Sequence, residues 1–187
     1  MKEWIIGENL YLMGIFNADG FDDLVVAAPR EDIGQTVNSG SVWILYGSDS
    51  GLRSESSWSL NQASSGIPGV NEENDLWGSA LVSGDFNGDS YADLVIGAPY
   101  QDVGELVDAG SILVLLGGAT GLSSLNAMEF HQDTDGVPGA NEAGDLWGNS
   151  LASADFNGDG YDDVIVGAPG ESIGVIENAG AFTVMFG

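Results

Sequence analysis

The stretch Asp85-Phe86-Asn87-Gly88-Asp89-Ser90-Tyr91-Ala92-Asp93 recurs further along the chain as Asp155-Phe156-Asn157-Gly158-Asp159-Gly160-Tyr161-Asp162-Asp163. A third, incomplete copy, Ile15-Phe16-Asn17-Ala18-Asp19-Gly20-Phe21-Asp22-Asp23, precedes both at the same spacing. Both complete copies place oxygen-bearing side chains at positions 1, 3, 5 and 9, with glycine or small residues where the chain must turn. A short loop wraps a hard cation such as Ca²⁺ in this way. The stretch therefore indicates both a repeat architecture and a metal site.

The predicted ligands are the side chains at positions 1, 3, 5 and 9 and the backbone carbonyl at position 7. In the second repeat they are Asp85, Asn87, Asp89, Asp93 and the Tyr91 carbonyl, and in the third Asp155, Asn157, Asp159, Asp163 and the Tyr161 carbonyl. Three carboxylates in one short loop repel one another, and a divalent ion removes that repulsion. A metal-free, Asp-rich turn is the alternative for one copy. Two near-identical copies at a fixed period favour two Ca²⁺ sites.

The loop of the first repeat departs from this pattern. Ile15 occupies position 1 and supplies no side-chain oxygen. A weaker set of donors remains, made of Asn17, Asp19, the Phe21 carbonyl and Asp23. We expect this loop to be empty or filled by water.

The flanking sequence argues against an EF-hand, which needs an acidic ligand at position 12 and a helix on each side. Position 12 is Ile96 or Val166, inside short apolar runs that end at Pro99 and Pro169. Such runs are typical of buried strands. Each loop is therefore predicted to join two strands.

The composition favours a single globular domain spanning residues 1–187, since 43% of the residues are hydrophobic. The net charge of −26 arises from 29 acidic residues against Lys2, Arg30 and Arg53, which argues against nucleic acid and anionic membranes as partners. Cysteines are absent, so no disulfide is expected. No apolar stretch reaches the length of a membrane span, and residues 1–6 are too short and polar for a secretory signal.

The repeat extends beyond the loops with a period of about 70 residues, which places repeats at about 1–74, 75–144 and 145–187. Asp75-Leu76-Trp77-Gly78 matches Asp145-Leu146-Trp147-Gly148, and Gly97-Ala98-Pro99 matches Gly167-Ala168-Pro169. In the second repeat we predict strands near 77–84, 92–98, 110–117 and 126–131. Strands two and three are apolar on both faces, as in a sheet lying between neighbouring sheets. An all-β propeller of four-stranded antiparallel blades is predicted, with the last blade stopping after its third strand.

The Trp-Gly and Gly-Ala-Pro elements, with a calcium loop between them, resemble FG-GAP repeats over almost the whole chain. These repeats build the β-propellers of integrin alpha subunits and of many bacterial surface proteins. Tryptophan stands where the family usually has phenylalanine. The resemblance implies Ca²⁺ on the two complete loops, a noncatalytic role and an extracellular or cell-surface location.

Three blades leave two open apolar faces, whereas propellers of this family usually close with seven blades. Two copies of the chain make six blades, a ring size that propellers use, so we expect a homodimer. Lys2-Glu3-Trp4-Ile5-Ile6 is a candidate closing strand supplied by the partner copy. A fragment of a longer propeller is the alternative.

Other conspicuous residues are assigned structural roles. The aromatic residues Trp77, Trp147, Trp43, Trp58 and Phe130 are expected in the core between blades. His131 is expected on the surface. The pairs Asn71-Glu72 and Asn141-Glu142, near Asp75 and Asp145, are expected to be solvated turn residues, with extra cation sites as the alternative.

The leading functional hypothesis is a noncatalytic, calcium-binding propeller that presents loops to a protein or surface ligand. A self-assembling structural module is the alternative, and a remnant of a hydrolase-associated propeller is less favoured. No catalytic residue and no organic cofactor is predicted, because one histidine, no cysteine and three basic residues leave few groups for acid–base or phosphate chemistry.

Overall fold

Residues 9–187 of the computed structural model are described, and they contain eleven strands and no helix. The first sheet consists of Leu10–Gly14 (β1), Asp23–Ala28 (β2), Ser41–Tyr46 (β3) and Arg53–Leu60 (β4). The second consists of Ala80–Gly84 (β5), Asp93–Ala98 (β6), Ser111–Leu116 (β7) and Ser123–Phe130 (β8). The third consists of Ser150–Ala154 (β9), Asp163–Ala168 (β10) and Ala181–Met185 (β11). The predicted all-β class is confirmed.

Within each sheet the strands follow one another in chain order and pair antiparallel. Equivalent residues of different repeats pair in the same register: Leu12 lies opposite Val25, and Val82 lies opposite Val95. The first strands of the three sheets, β1, β5 and β9, are neighbours. This is the arrangement of propeller blades around a shared inner edge.

The predicted strands of the second repeat are confirmed, apart from the starts of the first and the fourth. β5 begins at Ala80, later than predicted, because Trp77 and Gly78 form a turn. β8 begins at Ser123, earlier than predicted, after an irregularity in its pairing with β7 between Val114 and Leu116. Its first residues are polar and exposed or half-buried. Backbone pairing to β7 extends this edge strand where the side-chain pattern carries no apolar signal.

The core consists of two apolar clusters, one at each seam between adjacent sheets. Trp77 is buried in the first cluster and Trp147 in the second. All six residues of β6 are buried, as expected for a central blade covered on both faces. Trp58 and Phe130 are half-buried and pack against these clusters, in agreement with their predicted roles.

The prediction that Trp43 lies in the core between blades is wrong, because 44% of its surface is exposed. Its neighbours Val42 and Ile44 are fully buried against the second sheet. Side chains alternate between the two faces of a strand, so Trp43 points to the opposite face of the first sheet. That face also carries the exposed Tyr11 and Met13.

The seams need glycine where backbones meet. At Gly110 the φ angle is +91°, and a Cβ there would lie 2.2 Å from the carbonyl oxygen of Trp147. The amide of Trp147 donates a hydrogen bond to the carbonyl of Ala109, at 3.0 Å. A side chain at Gly110 would thus both strain the backbone and separate the sheets.

The proposed closing strand at residues 2–6 lies outside the described residues. The last sheet has three strands, as predicted, and exposes Phe182 on its outer face. In the described part of the chain, no helix has the length and apolar character needed to cross a membrane.

Candidate metal centres

The complete loops join β5 to β6 and β9 to β10, so the predicted strand–loop–strand setting is confirmed. In the first of them, the Asp85 carboxylate accepts hydrogen bonds from the amides of Asp89, at 3.0 Å, and Ser90, at 2.8 Å. Asn87 Oδ1 accepts a bond from the Asp89 amide, and Asp89 Oδ1 accepts one from the Tyr91 amide. The alternating oxygen-bearing side chains therefore curl this loop by bonding to its own backbone.

The second complete loop repeats these contacts. The Asp155 carboxylate accepts bonds from the amides of Gly158, Asp159 and Gly160, at 2.6 to 3.1 Å. Asp159 Oδ1 accepts a bond from the Tyr161 amide at 3.0 Å. The two complete copies of the motif thus have one local conformation.

The aspartate at position 9 is buried under each loop. Asp93 is fully buried, and its two oxygens accept bonds from the amides of Phe86, at 3.1 Å, and Gly117, at 2.8 Å. Burial raises the pKa of Asp93 to about 6, against the two hydrogen bonds that lower it, and the Asp89 and Asp85 charges raise it further. A nearby cation would offset this penalty on the charged carboxylate.

Asp163 and Asp23 hold the same position in the other repeats. Asp163 accepts bonds from the amides of Phe156 and Gly187, and Asp23 accepts bonds from those of Phe16 and Gly47. The sequence motif did not identify these amides as partners, because they carry no side-chain signature and one of each pair comes from the end of the third strand. The position-9 aspartate therefore ties the loop to its own sheet.

The incomplete loop keeps part of this conformation. Asn17 Oδ1 accepts a bond from the Asp19 amide, and Asp19 Oδ1 accepts one from the Phe21 amide. Ile15 provides no acceptor for the amides that Asp85 binds in the second repeat. The Asn17 and Asp19 side chains thus bond to the loop backbone as their equivalents do in the complete loops, and the position-1 oxygen is missing.

No three carboxylate, imidazole or thiol side chains within residues 9–187 stand together as a ready-made metal cage. In each loop the carboxylates instead accept backbone N–H groups, which separates like charges. Asp89 Oδ2 also accepts a bond from Asn87 Nδ2, at 3.1 Å, and the same contact recurs in the other two loops. The donor set nevertheless fits a hard cation, since every predicted ligand atom in the two complete loops is oxygen.

Neighbouring loops are in contact with each other. The Asp162 amide donates to the Asp85 carbonyl, and Asp162 Oδ2 accepts a bond from the Asp85 amide, both at 2.9 Å. A Cβ at Gly88 would lie 2.4 Å from the Tyr161 ring. Position 1 of one candidate site is thus held by position 8 of the next loop, a contact between blades that the motif alone did not reveal.

His131 is half-buried rather than free on the surface, and its Nδ1 lies 3.1 Å from Asn141 Nδ2. Together with Glu72, Gln101 and Glu129 it lines an open groove of about 460 Å³. The predicted solvation of the Asn-Glu pairs is only partly right. Asn141 is buried beside the exposed Glu142.

Comparison with known proteins assigns the repeat. The model of the FG-GAP repeat matches residues 16–45, 77–115 and 147–185, one match in each sheet. The chain belongs to the FG-GAP repeat family. The matched segments include both complete loops and the buried Trp77 and Trp147.

Several curated proteins are similar to this FG-GAP chain over 82% of its length. It is 34% identical to phosphatidylinositol-glycan-specific phospholipase D of Bos taurus over 155 residues and 30% identical to integrin alpha-PS5 of Drosophila melanogaster over 159 residues. Integrin alpha-5 of Xenopus laevis is 31% identical over 160 residues. The chain spans 17% of the length of the phospholipase and 14% of each of these integrins.

Proposed function

We propose that this FG-GAP chain is a noncatalytic calcium-binding propeller module that presents its loops to an extracellular or cell-surface protein ligand. The observation that carries the proposal is the pair of loops with oxygen donors at positions 1, 3, 5, 7 and 9. One Ca²⁺ is assigned to Asp85, Asn87, Asp89, Asp93 and the Tyr91 carbonyl. The other is assigned to Asp155, Asn157, Asp159, Asp163 and the Tyr161 carbonyl.

The ion would neutralise the loop carboxylates and stabilise the turn between two strands of one blade. Oxygen-only ligands and a backbone carbonyl suit the larger and more flexible shell of Ca²⁺ better than the strict octahedron of Mg²⁺. Each site has three carboxylates, so we expect a Kd on the order of 10⁻⁴ M or somewhat tighter, in the range of extracellular calcium modules.

Calorimetric titration with Ca²⁺ tests this assignment. Wild type should bind at both complete loops, and Asp89→Ala should lose one of them. Asp19→Ala changes the same position in the incomplete loop and should lose none. Equal binding by wild type and Asp89→Ala would contradict the proposal.

A role in binding rather than catalysis is supported by the chemistry of the chain. It has one histidine, no cysteine and three basic residues, so few side chains are suited to acid–base or phosphate chemistry. The relatives include both phospholipases and integrins. We take the likeness to integrins as support for a role in adhesion. The extracellular or cell-surface location is inferred from the same kinship.

A second proposal concerns the two outer faces. Tyr11, Val26 and Trp43 on the first sheet are the repeat equivalents of Leu81, Ile96 and Leu113, which pack in the first seam. On the third sheet, Ile165, Phe182 and Val184 are the equivalents of Val95, Ile112 and Val114, which pack in the second seam.

We infer that the last sheet of one copy packs on the first sheet of another, in the geometry of an internal seam. Such a head-to-tail contact closes a ring when the rotation allows it, and two copies supply six blades.

Light scattering at micromolar concentration with Ca²⁺ should give twice the chain mass, and Phe182→Asp should reduce it to that of one chain. A monomeric wild type would rule out the ring and leave these faces for further blades of a longer chain.

A further inference from the structure

A second group of polar side chains lies at the opposite end of the sheets from the calcium loops. The segment 61–79 joins β4 to β5, and the segment 99–110 joins β6 to β7. Successive strands are antiparallel, so these connections leave the sheets at the end away from the loop at 85–92. The corresponding connections of the next repeat are 131–149 and 169–180.

In the first seam the two connections are linked by a chain of side chains. Gln62 Nε2 donates to Gln101 Oε1, and Gln101 Nε2 donates to Glu72 Oε2 at 3.2 Å. The Glu72 amide donates to Asp75 Oδ2 at 2.8 Å. Gln62 and Asp75 are each only 2% exposed, so this group reaches from the surface into the seam.

The second seam repeats the group at the equivalent positions. Gln132 Nε2 donates to Glu171 Oε2 at 2.7 Å, and the Glu142 amide donates to Asp145 Oδ2 at 2.6 Å. Gln132 is 3% exposed and Asp145 is 1% exposed. A glutamate thus stands at 171 where the first seam has Gln101.

Three buried amide oxygens in these two groups accept no hydrogen bond: Gln62 Oε1, Asn71 Oδ1 and Gln132 Oε1. Rotating the Gln132 amide does not give its oxygen a hydrogen-bond donor, because only the NH₂ end can donate to the Glu171 carboxylate. An unpaired buried acceptor costs about 1–3 kcal/mol. Both seams therefore carry unsatisfied acceptors in the same connections as the buried Asp75 and Asp145.

The charges around these acceptors have one sign. Burial raises the pKa of Asp75 to about 6, and the charges that raise it further are all carboxylates: Glu72, Asp102 and Asp108. Burial also raises the pKa of Asp145, with Glu171 and Glu142 adding to the effect. A cation satisfies carboxylates and amide oxygens together, whereas a buried water satisfies only the hydrogen bonds.

We propose that each seam binds one Ca²⁺ ion, separate from the ions of the loops. In the first seam the ligands are Asp75, Glu72 and the amide oxygens of Gln62 and Asn71. In the second they are Asp145, Glu171 and the amide oxygen of Gln132. Carboxylate and amide oxygens are the ligands that Ca²⁺ takes in proteins, and the expected Kd is on the order of 10⁻³ to 10⁻⁴ M.

Equilibrium dialysis with radioactive Ca²⁺ at physiological ionic strength tests the seam sites by stoichiometry. Wild type should bind four ions per chain, and Asp89→Ala/Asp159→Ala should keep two. In that background Asp145→Asn and, separately, Glu171→Gln should each remove one. Asp135→Asn changes an exposed carboxylate of the same connection and should remove none.

The outcomes separate the two calcium proposals. A loop-deficient double variant that remains folded by circular dichroism but binds no Ca²⁺ overturns the seam sites and leaves the loop sites intact. A double variant that binds as many ions as wild type overturns the loop sites instead. Retention of both remaining ions by Glu171→Gln contradicts the seam assignment even if Asp145→Asn does not fold.

Discussion

At the scale of single residues, burial separates side chains that the sequence presents as equivalent. Trp147 and Trp43 are both aromatic residues in repeat-locked positions, yet the first is fully buried and the second is 44% exposed. Trp147 Nε1 also donates to Thr183 Oγ1 at 3.3 Å. The difference arises because Trp147 faces an internal seam, and Trp43 faces the outside of the first sheet.

Trp147→Ala should therefore lower the free energy of unfolding by about 3–5 kcal/mol, the cost of emptying a large aromatic site in a core. Trp43→Ala should cost less than about 1 kcal/mol in dilute, monomeric protein. Urea unfolding at saturating Ca²⁺ measures both values. Comparable losses in the two variants would show that the first sheet is covered by other parts of the chain.

At the scale of strands and loops, the candidate calcium loops of neighbouring blades are in contact with each other. Asp162 exchanges two hydrogen bonds with the backbone of Asp85, which holds position 1 of the preceding loop. In the second repeat the equivalent position is Ala92, whose amide alone bonds to the Ile15 carbonyl at 3.3 Å. The contact between the two complete loops is therefore tighter than the one that involves the incomplete loop.

Asp162→Ala should weaken Ca²⁺ binding at Asp85–Asp93 by about 5- to 10-fold, which is about 1–1.4 kcal/mol. The reason is the loss of the carboxylate that holds the Asp85 amide. Calorimetry in an Asp159→Ala background removes the other loop site, and comparison with the same titration of Asp89→Ala/Asp159→Ala gives the contribution of the Asp85–Asp93 site, with Asp135→Ala as the control. An unchanged affinity would mean that the two loops bind independently.

Much of the strand and loop structure was predictable from the sequence. The loops, the strands on either side and the buried seams follow from the fixed repeat period and from runs such as Leu94-Val95-Ile96. The bonds of Asp93 to the Gly117 amide and of Asp162 to Asp85 were not predictable. They depend on where the backbone of another strand or blade lies, and a backbone amide has the same chemistry at almost every residue.

At the scale of the whole molecule, the three sheets combine apolar outer faces with a net charge of −26. The charge opposes compaction and association through repulsion between carboxylates. Under the two calcium proposals, cations at the loops and seams would reduce that repulsion between neighbouring carboxylates. Folding and association of this FG-GAP chain should therefore both depend on Ca²⁺.

The melting temperature with EDTA and with excess Ca²⁺ tests this account most directly. Ca²⁺ at about 100 times its Kd should stabilise the folded state by roughly 2.7 kcal/mol for each independent site. We expect EDTA to lower the melting temperature, added Ca²⁺ to restore it, and Asp89→Ala/Asp159→Ala to show a smaller shift than wild type. The same melting curve with EDTA and with Ca²⁺ would contradict the account.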